Sequence, residues 1–173
     1  MCSNIETGKA EYLRIRDMKK QIDILRASAS LPYFSRPVEI GGKKYLDGGC
    51  TDSIPLMGLR KIGCKYNVVV LTRDRNYRKS PEMKLMAKLV YRKYPEFSKA
   101  LLDRHNMYNK TVEQIFKLEK AGSIFVVRPQ EPLDIGRLEK NPENLQRVYD
   151  IGYKQAKNIL SDMTNWIAEK KQA

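Results

Sequence analysis

A short valine-rich run is the feature that most restricts how this chain can fold. Residues 67–72, "NVVVLT", form a continuous apolar stretch between polar segments. Such a run is typical of a strand that is buried on both faces, in a parallel sheet covered by helices. The stretch "SIFVVRP" predicts another short strand, which ends at Pro129. Together with the amphipathic helices described below, these strands predict an α/β fold.

Two β-hairpins are predicted in the first third of the chain. Residues 2–5 and 10–15 are interpreted as strands on either side of "ETGK", in which Gly8 supplies the flexible backbone of a tight turn. The stretch "RPVEIGGKKYLDGG" alternates apolar and polar residues around Gly41 and Gly42. This alternation around two glycines predicts the second hairpin.

Two helices are predicted around the second hairpin. Asp17 is a candidate N-cap of the first helix, which should end before Pro32. The apolar face of this helix is formed by Met18, Ile22 and Leu25. A short helix follows Pro55, with Asp52 or Ser53 as its cap and Gly63 as its end.

Three longer helices are predicted in the rest of the chain, over about residues 82–93, 96–120 and 143–169. The apolar stripe of the second of them consists of Phe97, Leu101, Tyr108, Val112, Ile115 and Phe116. The apolar face of the last consists of Leu145, Val148, Gly152, Ala156, Ile159, Met163 and Ile167. The strand count is low relative to the helix count.

The composition is that of a soluble, folded protein. Hydrophobic residues make up 42% of the 173 residues, which suits the packed core of one domain, with or without an appendage. No apolar run approaches the roughly 18 residues that a membrane-spanning helix needs. The first residues lack the layout of a signal peptide. These features predict a cytoplasmic location, with attachment to the periphery of a membrane as an alternative.

The net charge of +13 favours contact with anionic surfaces, although solvated helix faces would also account for the basic residues. The densest basic segment is residues 73–94, in which tyrosines are interleaved. Its residues are Arg73, Arg75, Arg78, Lys79, Lys84, Lys88, Arg92 and Lys93, with Tyr77, Tyr91 and Tyr94. No recognised nucleic-acid motif accompanies them, so no specific nucleic-acid partner is expected. A non-catalytic module that binds anionic membrane or nucleic acid is the alternative function.

No metal site is predicted. The three cysteines, Cys2, Cys50 and Cys64, form no C-x-x-C pair and are expected to be reduced and structural. The single histidine, His105, falls in a predicted helix and is expected at a surface or an interface.

Asp47 is the strongest candidate for a catalytic residue. It directly follows a predicted strand, and functional groups of open α/β sheets cluster where strands end. Gly48 and Gly49 allow backbone angles that other residues avoid and permit a close approach of another chain segment. A carboxylate held beside them can accept a proton from a serine hydroxyl. A plain turn aspartate is the alternative.

The longer context resembles the patatin-like phospholipase family. Residues 26–56 carry an alanine- and serine-rich helix end, a proline, a short hairpin, Asp47-Gly48-Gly49, and Asp52 shortly before Pro55. The opening "CSNIETGKAEYL" is similar to the strand pair of bacterial members. The basic tail with "RPQEPLDIGRLEKNPENLQRVYDIGYKQA" is similar to a C-terminal extension on some of them.

The resemblance implies a lipid acyl hydrolase, an esterase with a Ser-Asp dyad. It maps the catalytic aspartate onto Asp47, within the motif Asp47, Gly48 and Gly49. It implies a three-layer α/β/α fold, of which residues 1–73 form the C-terminal part, followed by a helix-rich extension over residues 74–173. The substrate would be a phospholipid or another acyl ester, and no cofactor is implied.

The other half of the dyad is missing from the sequence. No two of the ten glycines are four positions apart, so the G-x-S-x-G motif of the family's nucleophile is absent. No two are two positions apart, so G-x-G-x-x-G is absent as well. The nearby hydroxyl and thiol groups of Ser28, Ser30, Cys50 and Ser53 are not expected to replace the serine. We therefore expect the chain to be a C-terminal portion that is inactive alone.

Overall fold

The computed structural model describes residues 1–81, 83–136 and 138–172. Helices and short strands alternate along them in an α/β fold, as predicted. The chain forms two compact units. The first contains residues 1–62 and 78–113, and the second contains residues 63–77 and 114–173. This grouping differs from the division between residues 73 and 74, which stays a prediction about domain organisation.

Four strands of the first unit form an antiparallel sheet in the order β2-β1-β4-β3. They are β1 (Cys2–Asn4), β2 (Lys9–Glu11), β3 (Val38–Ile40) and β4 (Lys43–Asp47). Both predicted hairpins are confirmed. Gly41 and Gly42 both have positive φ, at 58° and 76°, as a two-residue type I′ turn requires.

The helices of the first unit are α1 (Ile22–Ser28), α2 (Leu56–Lys61), α3 (Lys84–Val90) and residues 95–113 of α4 (Pro95–Lys120). α1 packs on β4, β3 and β1. The predicted helix over 82–93 is shorter in the structure, and its first position, 82, lies outside the described residues. The helix predicted over 96–120 is confirmed as α4.

Both predicted helix caps are wrong. α1 begins four residues later than Asp17 would place it, at Ile22, since Asp17 Oδ1 accepts instead from the backbone N–H groups of Lys19 and Lys20 in a preceding turn. The N-cap position of α2 is Pro55, which forms no side-chain cap. Ser53 lies two residues before this position, and its hydroxyl donates to the Gly49 carbonyl.

Two apolar clusters form the core of the first unit. One joins strand, turn and helix residues and consists of Ile5, Leu46, Cys50, Tyr91, Phe97 and Leu101. The other lies under α1 and consists of Cys2, Ile24, Ala27, Val38 and Tyr45. The first cluster holds α3 and α4 against the end of β4, where Asp47 lies.

In the second unit, β5 (Asn67–Val70) and β6 (Ile124–Val127) pair in parallel, which confirms both predicted strands and the direction of their pairing. Burial of β5 on both faces is not observed, because Val69 is buried whereas Val68 and Val70 are exposed. The single helix predicted over 143–169 is two helices, α5 (Pro142–Asn158) and α6 (Leu160–Gln172), with a break at Ile159.

Candidate active site

Asp47 is the last residue of β4 and leads into a single 3₁₀ turn, Gly48–Cys50. Its Oδ1 accepts a hydrogen bond from the Gly49 backbone N–H at 2.7 Å. Its own backbone N–H donates to the Ser30 carbonyl at 2.8 Å, which ties the turn to the segment after α1. Among the described residues nothing donates to Oδ2. The carboxylate is therefore fixed through one oxygen and has the other available for a proton.

The two glycines of the motif leave room for neighbouring atoms, and they do not adopt unusual backbone angles. Neither Gly48 nor Gly49 has a positive φ, so the prediction about unusual angles is wrong. Close approach is confirmed, because a Cβ on Gly48 would lie 2.4 Å from the Met1 carbonyl oxygen. A Cβ on Gly49 would lie 3.0 Å from Oδ1 of Asp47. Side chains at these positions would displace the strand or the carboxylate.

Arg104 of α4 also stabilises the turn through a hydrogen bond. Its Nε–H donates to the Gly49 carbonyl at 2.6 Å, and Ser53 Oγ donates to the same oxygen at 2.7 Å. These two donors fix the orientation of the peptide group between Gly49 and Cys50. This peptide group directly follows the Gly49 N–H that donates to Asp47. Sequence reasoning missed Arg104, since it lies 55 residues beyond its partner and in no motif.

Ser3 supports the turn from within the sheet. It is fully buried, and its Oγ donates to the Asp47 carbonyl at 2.7 Å. Ser3 Oγ also lies 2.7 Å from Thr51 Oγ1. A buried serine in a strand is the signal that could have drawn attention to it, because a buried hydroxyl needs a partner.

Tyr12 and Asp52 close the outer edge of the turn. The Tyr12 hydroxyl donates a hydrogen bond to Asp52 Oδ2. The Tyr12 ring lies against α2, where a Cβ on Gly58 would be 2.4 Å from Cζ of the ring. Burial, and then the hydrogen bond to Asp52, raise the pKa of Tyr12 to about 12.

This shift predicts a pH-dependent contribution to stability. The folded protein favours the protonated phenol, whose pKa in an unfolded chain is about 10. The stabilisation should be complete below about pH 10 and lost as the pH rises through about 12. We expect the difference in unfolding free energy between wild type and Tyr12→Phe to shrink over this window in urea titrations. Tyr153→Phe, at an exposed tyrosine, serves as the control, and a pH-independent difference for Tyr12→Phe would refute the assignment.

The candidate nucleophiles near Asp47 are either hydrogen-bonded to backbone carbonyls or buried in the core. Ser28 Oγ donates to the Met1 carbonyl at 2.9 Å, and Ser30 Oγ donates to the Arg26 carbonyl at 2.7 Å. Cys50 is buried in the first core cluster. With the Ser53 bond described above, none of these groups is presented to the Asp47 carboxylate for attack.

His105 forms its hydrogen bond within its own helix, from Nδ1 to the Leu102 carbonyl at 2.9 Å. All three cysteines are free of disulfide bonds, and Cys2 and Cys50 are buried whereas Cys64 is exposed. In the described ranges, no three His, Cys, Asp or Glu side chains gather into a group that could hold a metal ion. No helix built from these residues has both the length and the apolar character that crossing a bilayer requires.

Two family models match parts of the chain. Residues 13–60 match the model of the patatin-like phospholipase family, and this range contains the whole Asp-Gly-Gly turn. Residues 94–168 match a domain of unknown function, DUF6363, which falls within the predicted C-terminal extension.

Two curated proteins are similar to the chain. The uncharacterised protein YjjU of Escherichia coli is 26% identical over 98% of this chain and 48% of its own length. The lysophospholipase NTE1 of Debaryomyces hansenii is 44% identical over 27% of this chain and 3% of its own length. The chain thus spans half or less of each relative. The family match supports a patatin-like α/β/α fold, and residues 13–60 are similar to the patatin-like phospholipase family.

Proposed function

We propose that this chain supplies the aspartate half of a lipid acyl hydrolase with a Ser-Asp dyad, of the bacterial patatin-like type. The observation that carries the proposal is the Asp47 carboxylate, which is fixed through Oδ1 at the end of β4 inside the family-matched segment. The substrate class is a phospholipid or a related acyl ester. The nucleophile serine would lie outside these 173 residues, since they contain no G-x-S-x-G.

In the proposed reaction, Asp47 acts as the general base. It takes the proton of the serine hydroxyl while the serine oxygen attacks the ester carbonyl carbon. The bond to the alcohol breaks, the alcohol leaves with the proton from Asp47, and an acyl-serine remains. Water then attacks the acyl carbon and gives a proton to Asp47. The fatty acid departs as the serine oxygen regains that proton.

The surroundings of the turn suit this role. A base must stay within about 2.6–3.2 Å of the hydroxyl that it deprotonates. Contacts from Arg104, Ser3 and Ser30 hold the backbone on both sides of Asp47. The carboxylate therefore loses little conformational freedom when it meets its serine.

The proposal predicts that the 173-residue chain does not react with a fluorophosphonate probe, which labels activated serines. It should also cleave a p-nitrophenyl ester only at the background rate, because no nucleophile or oxyanion site is placed against Asp47. Labelling is measured by gel fluorescence and intact-protein mass. Stoichiometric labelling would contradict the proposal, and the labelled peptide would identify the serine.

The complementary arm uses the full reading frame that contains these codons. Its sequence on the 5′ side of the Met1 codon should encode an in-frame G-x-S-x-G. The protein expressed from that frame should be labelled. A full-length protein with the motif but without labelling would count against the dyad.

Peripheral attachment to an anionic membrane is a second, compatible role. In the structure, only part of the basic segment over residues 73–94 is left to contact a membrane. In residues 73–79 the cations contact their own chain, with Arg73 over the Tyr77 ring, Lys79 over the Tyr108 ring and Arg78 paired with Glu113. Tyr91 is buried in the core, which removes a stacking surface for nucleic-acid bases. The remaining cations belong to α3 and the residues after it.

A further inference from the structure

Unlike an ordinary surface helix, α3 turns its large apolar side chains towards solvent. It packs on the core through Ala87, which is 0% exposed. Tyr91, the residue directly after the helix, is 6% exposed. Because an α-helix turns by about 100° per residue, Leu85 and Leu89 lie opposite Ala87. These two leucines are 71% and 63% exposed. The helix thus packs through a small residue and one tyrosine, while its large aliphatic side chains face solvent.

The exposed apolar surface continues around the helix. Its members are Met83, Leu85, Met86, Leu89 and Val90, and all five are exposed. We call this set the α3 face. Single exposed apolar residues are normal on proteins, whereas a contiguous set marks an interaction site.

The contacts of Tyr91 fix which side of α3 faces outward. The Tyr91 ring contacts the Phe97 ring edge-on at 4.9 Å between centroids and the Tyr33 ring at 5.5 Å. The Tyr91 hydroxyl accepts a hydrogen bond from the Tyr33 backbone N–H at 3.0 Å. With Tyr91 held by its contacts to Phe97 and Tyr33, α3 cannot turn its leucines inward without losing the first core cluster.

Cations border the α3 face. They are Lys84, Lys88, Arg92 and Lys93, and no ion pair joins any of them to another residue of the described ranges. No aspartate or glutamate occurs between residues 83 and 95. A partner for this surface must therefore accept several aliphatic side chains and four positive charges at once.

We propose that the α3 face docks on an anionic lipid bilayer, with the leucines among the acyl chains and the cations at the headgroups. A bilayer offers an apolar layer directly beneath a negatively charged one, which matches this arrangement. α3 is roughly 10 Å long. A helix of this length would lie in the interface between water and the acyl chains and would not cross the membrane. The biological meaning rests on the proposed function, because docking would bring the enzyme to a surface made of acyl esters.

The test is co-sedimentation of the full chain with vesicles of phosphatidylcholine, with and without phosphatidylglycerol. Wild type should bind the anionic vesicles, and binding should fall as salt rises. Leu85→Gln with Leu89→Gln should weaken binding at least about tenfold, because two large apolar side chains lose their burial among the acyl chains. Lys88→Gln with Arg92→Gln should weaken it by about tenfold or more at low salt, because two positive charges no longer attract the anionic headgroups.

Matched controls use the same substitutions elsewhere. Leu145→Gln with Leu160→Gln removes two exposed leucines of α5 and α6, and Lys154→Gln with Lys157→Gln removes two exposed cations of α5. Both should bind as wild type does. Equal loss in the control pairs would show attraction by overall charge and hydrophobicity, and would overturn the assignment to α3.

Insertion has its own readout. The chain has one tryptophan, Trp166, which sets the baseline fluorescence. In Leu89→Trp, lipids brominated in their acyl chains should quench the added signal, whereas wild type should show little quenching. An unquenched Leu89→Trp overturns insertion. Concentration-dependent dimerisation that the leucine pair abolishes, without vesicle binding, would make the α3 face a self-interface instead.

Vesicle binding involves no catalysis, so the two proposals can fail separately. Asp47→Asn should bind vesicles like wild type. Loss of hydrolysis with intact binding tests the dyad, and loss of binding with an intact labelling reaction tests the α3 face.

Discussion

Asp47→Asn in the full-length protein is expected to lower kcat for a short-chain acyl ester by about 10³- to 10⁴-fold, as losses of a group in a nucleophile-activating system do. The amide can still accept the Gly49 N–H bond through its oxygen, so the turn should survive. It cannot take the serine proton, because an amide is not a base at neutral pH. The measurement is steady-state turnover together with the fluorophosphonate labelling rate.

Asp52→Asn is the matched control for this variant. It makes the same substitution on the same loop, at a carboxylate whose partner is the Tyr12 hydroxyl. Turnover should stay close to wild type, and both variants should unfold at similar urea concentrations. Near-normal turnover of Asp47→Asn, or an equal loss in Asp52→Asn, would show that Asp47 is a turn residue only.

Local signals in the sequence were enough to predict the elements around Asp47. The Gly41-Gly42 pair has few alternatives to a tight hairpin turn, and the hairpin delivers Asp47 to the end of β4. The long apolar stripe of α4 is periodic over several turns, and Phe97, Leu101, Val112 and Ile115 are all buried. Such patterns are read from neighbours in the chain, where the physics is local.

The supports of the site could not be predicted in this way. Ser3 and Arg104 reach the turn across 44 and 55 residues, so only the tertiary fold brings them together. The predicted cap of α2 failed for a different reason, since the N-cap position is Pro55, two residues after Ser53. The Ser53 hydroxyl donates to the Gly49 carbonyl four residues earlier, so one short-range bond between side chain and backbone replaced another.

The largest stability effect is expected at Phe97. Its side chain is fully buried and contacts the Tyr91 ring edge-on at 4.9 Å, in the cluster that also contains Leu46 and Leu101. Phe97→Ala should lower the unfolding free energy by about 3–5 kcal/mol, because it removes a large buried ring and leaves a cavity. The measurement is urea unfolding followed by circular dichroism.

Phe34→Ala provides the matched control, because Phe34 is 69% exposed and the same atoms are removed from solvent-facing surface. Its unfolding free energy should change by less than about 0.5 kcal/mol. Phe97 also supports both proposed sites, since the same cluster holds the Tyr91 anchor of α3 and the Leu46 residue that precedes Asp47. Phe97→Ala should therefore weaken vesicle binding and, in the full-length protein, turnover together. A variant as stable as Phe34→Ala would show that this cluster does not hold α3 and β4 together.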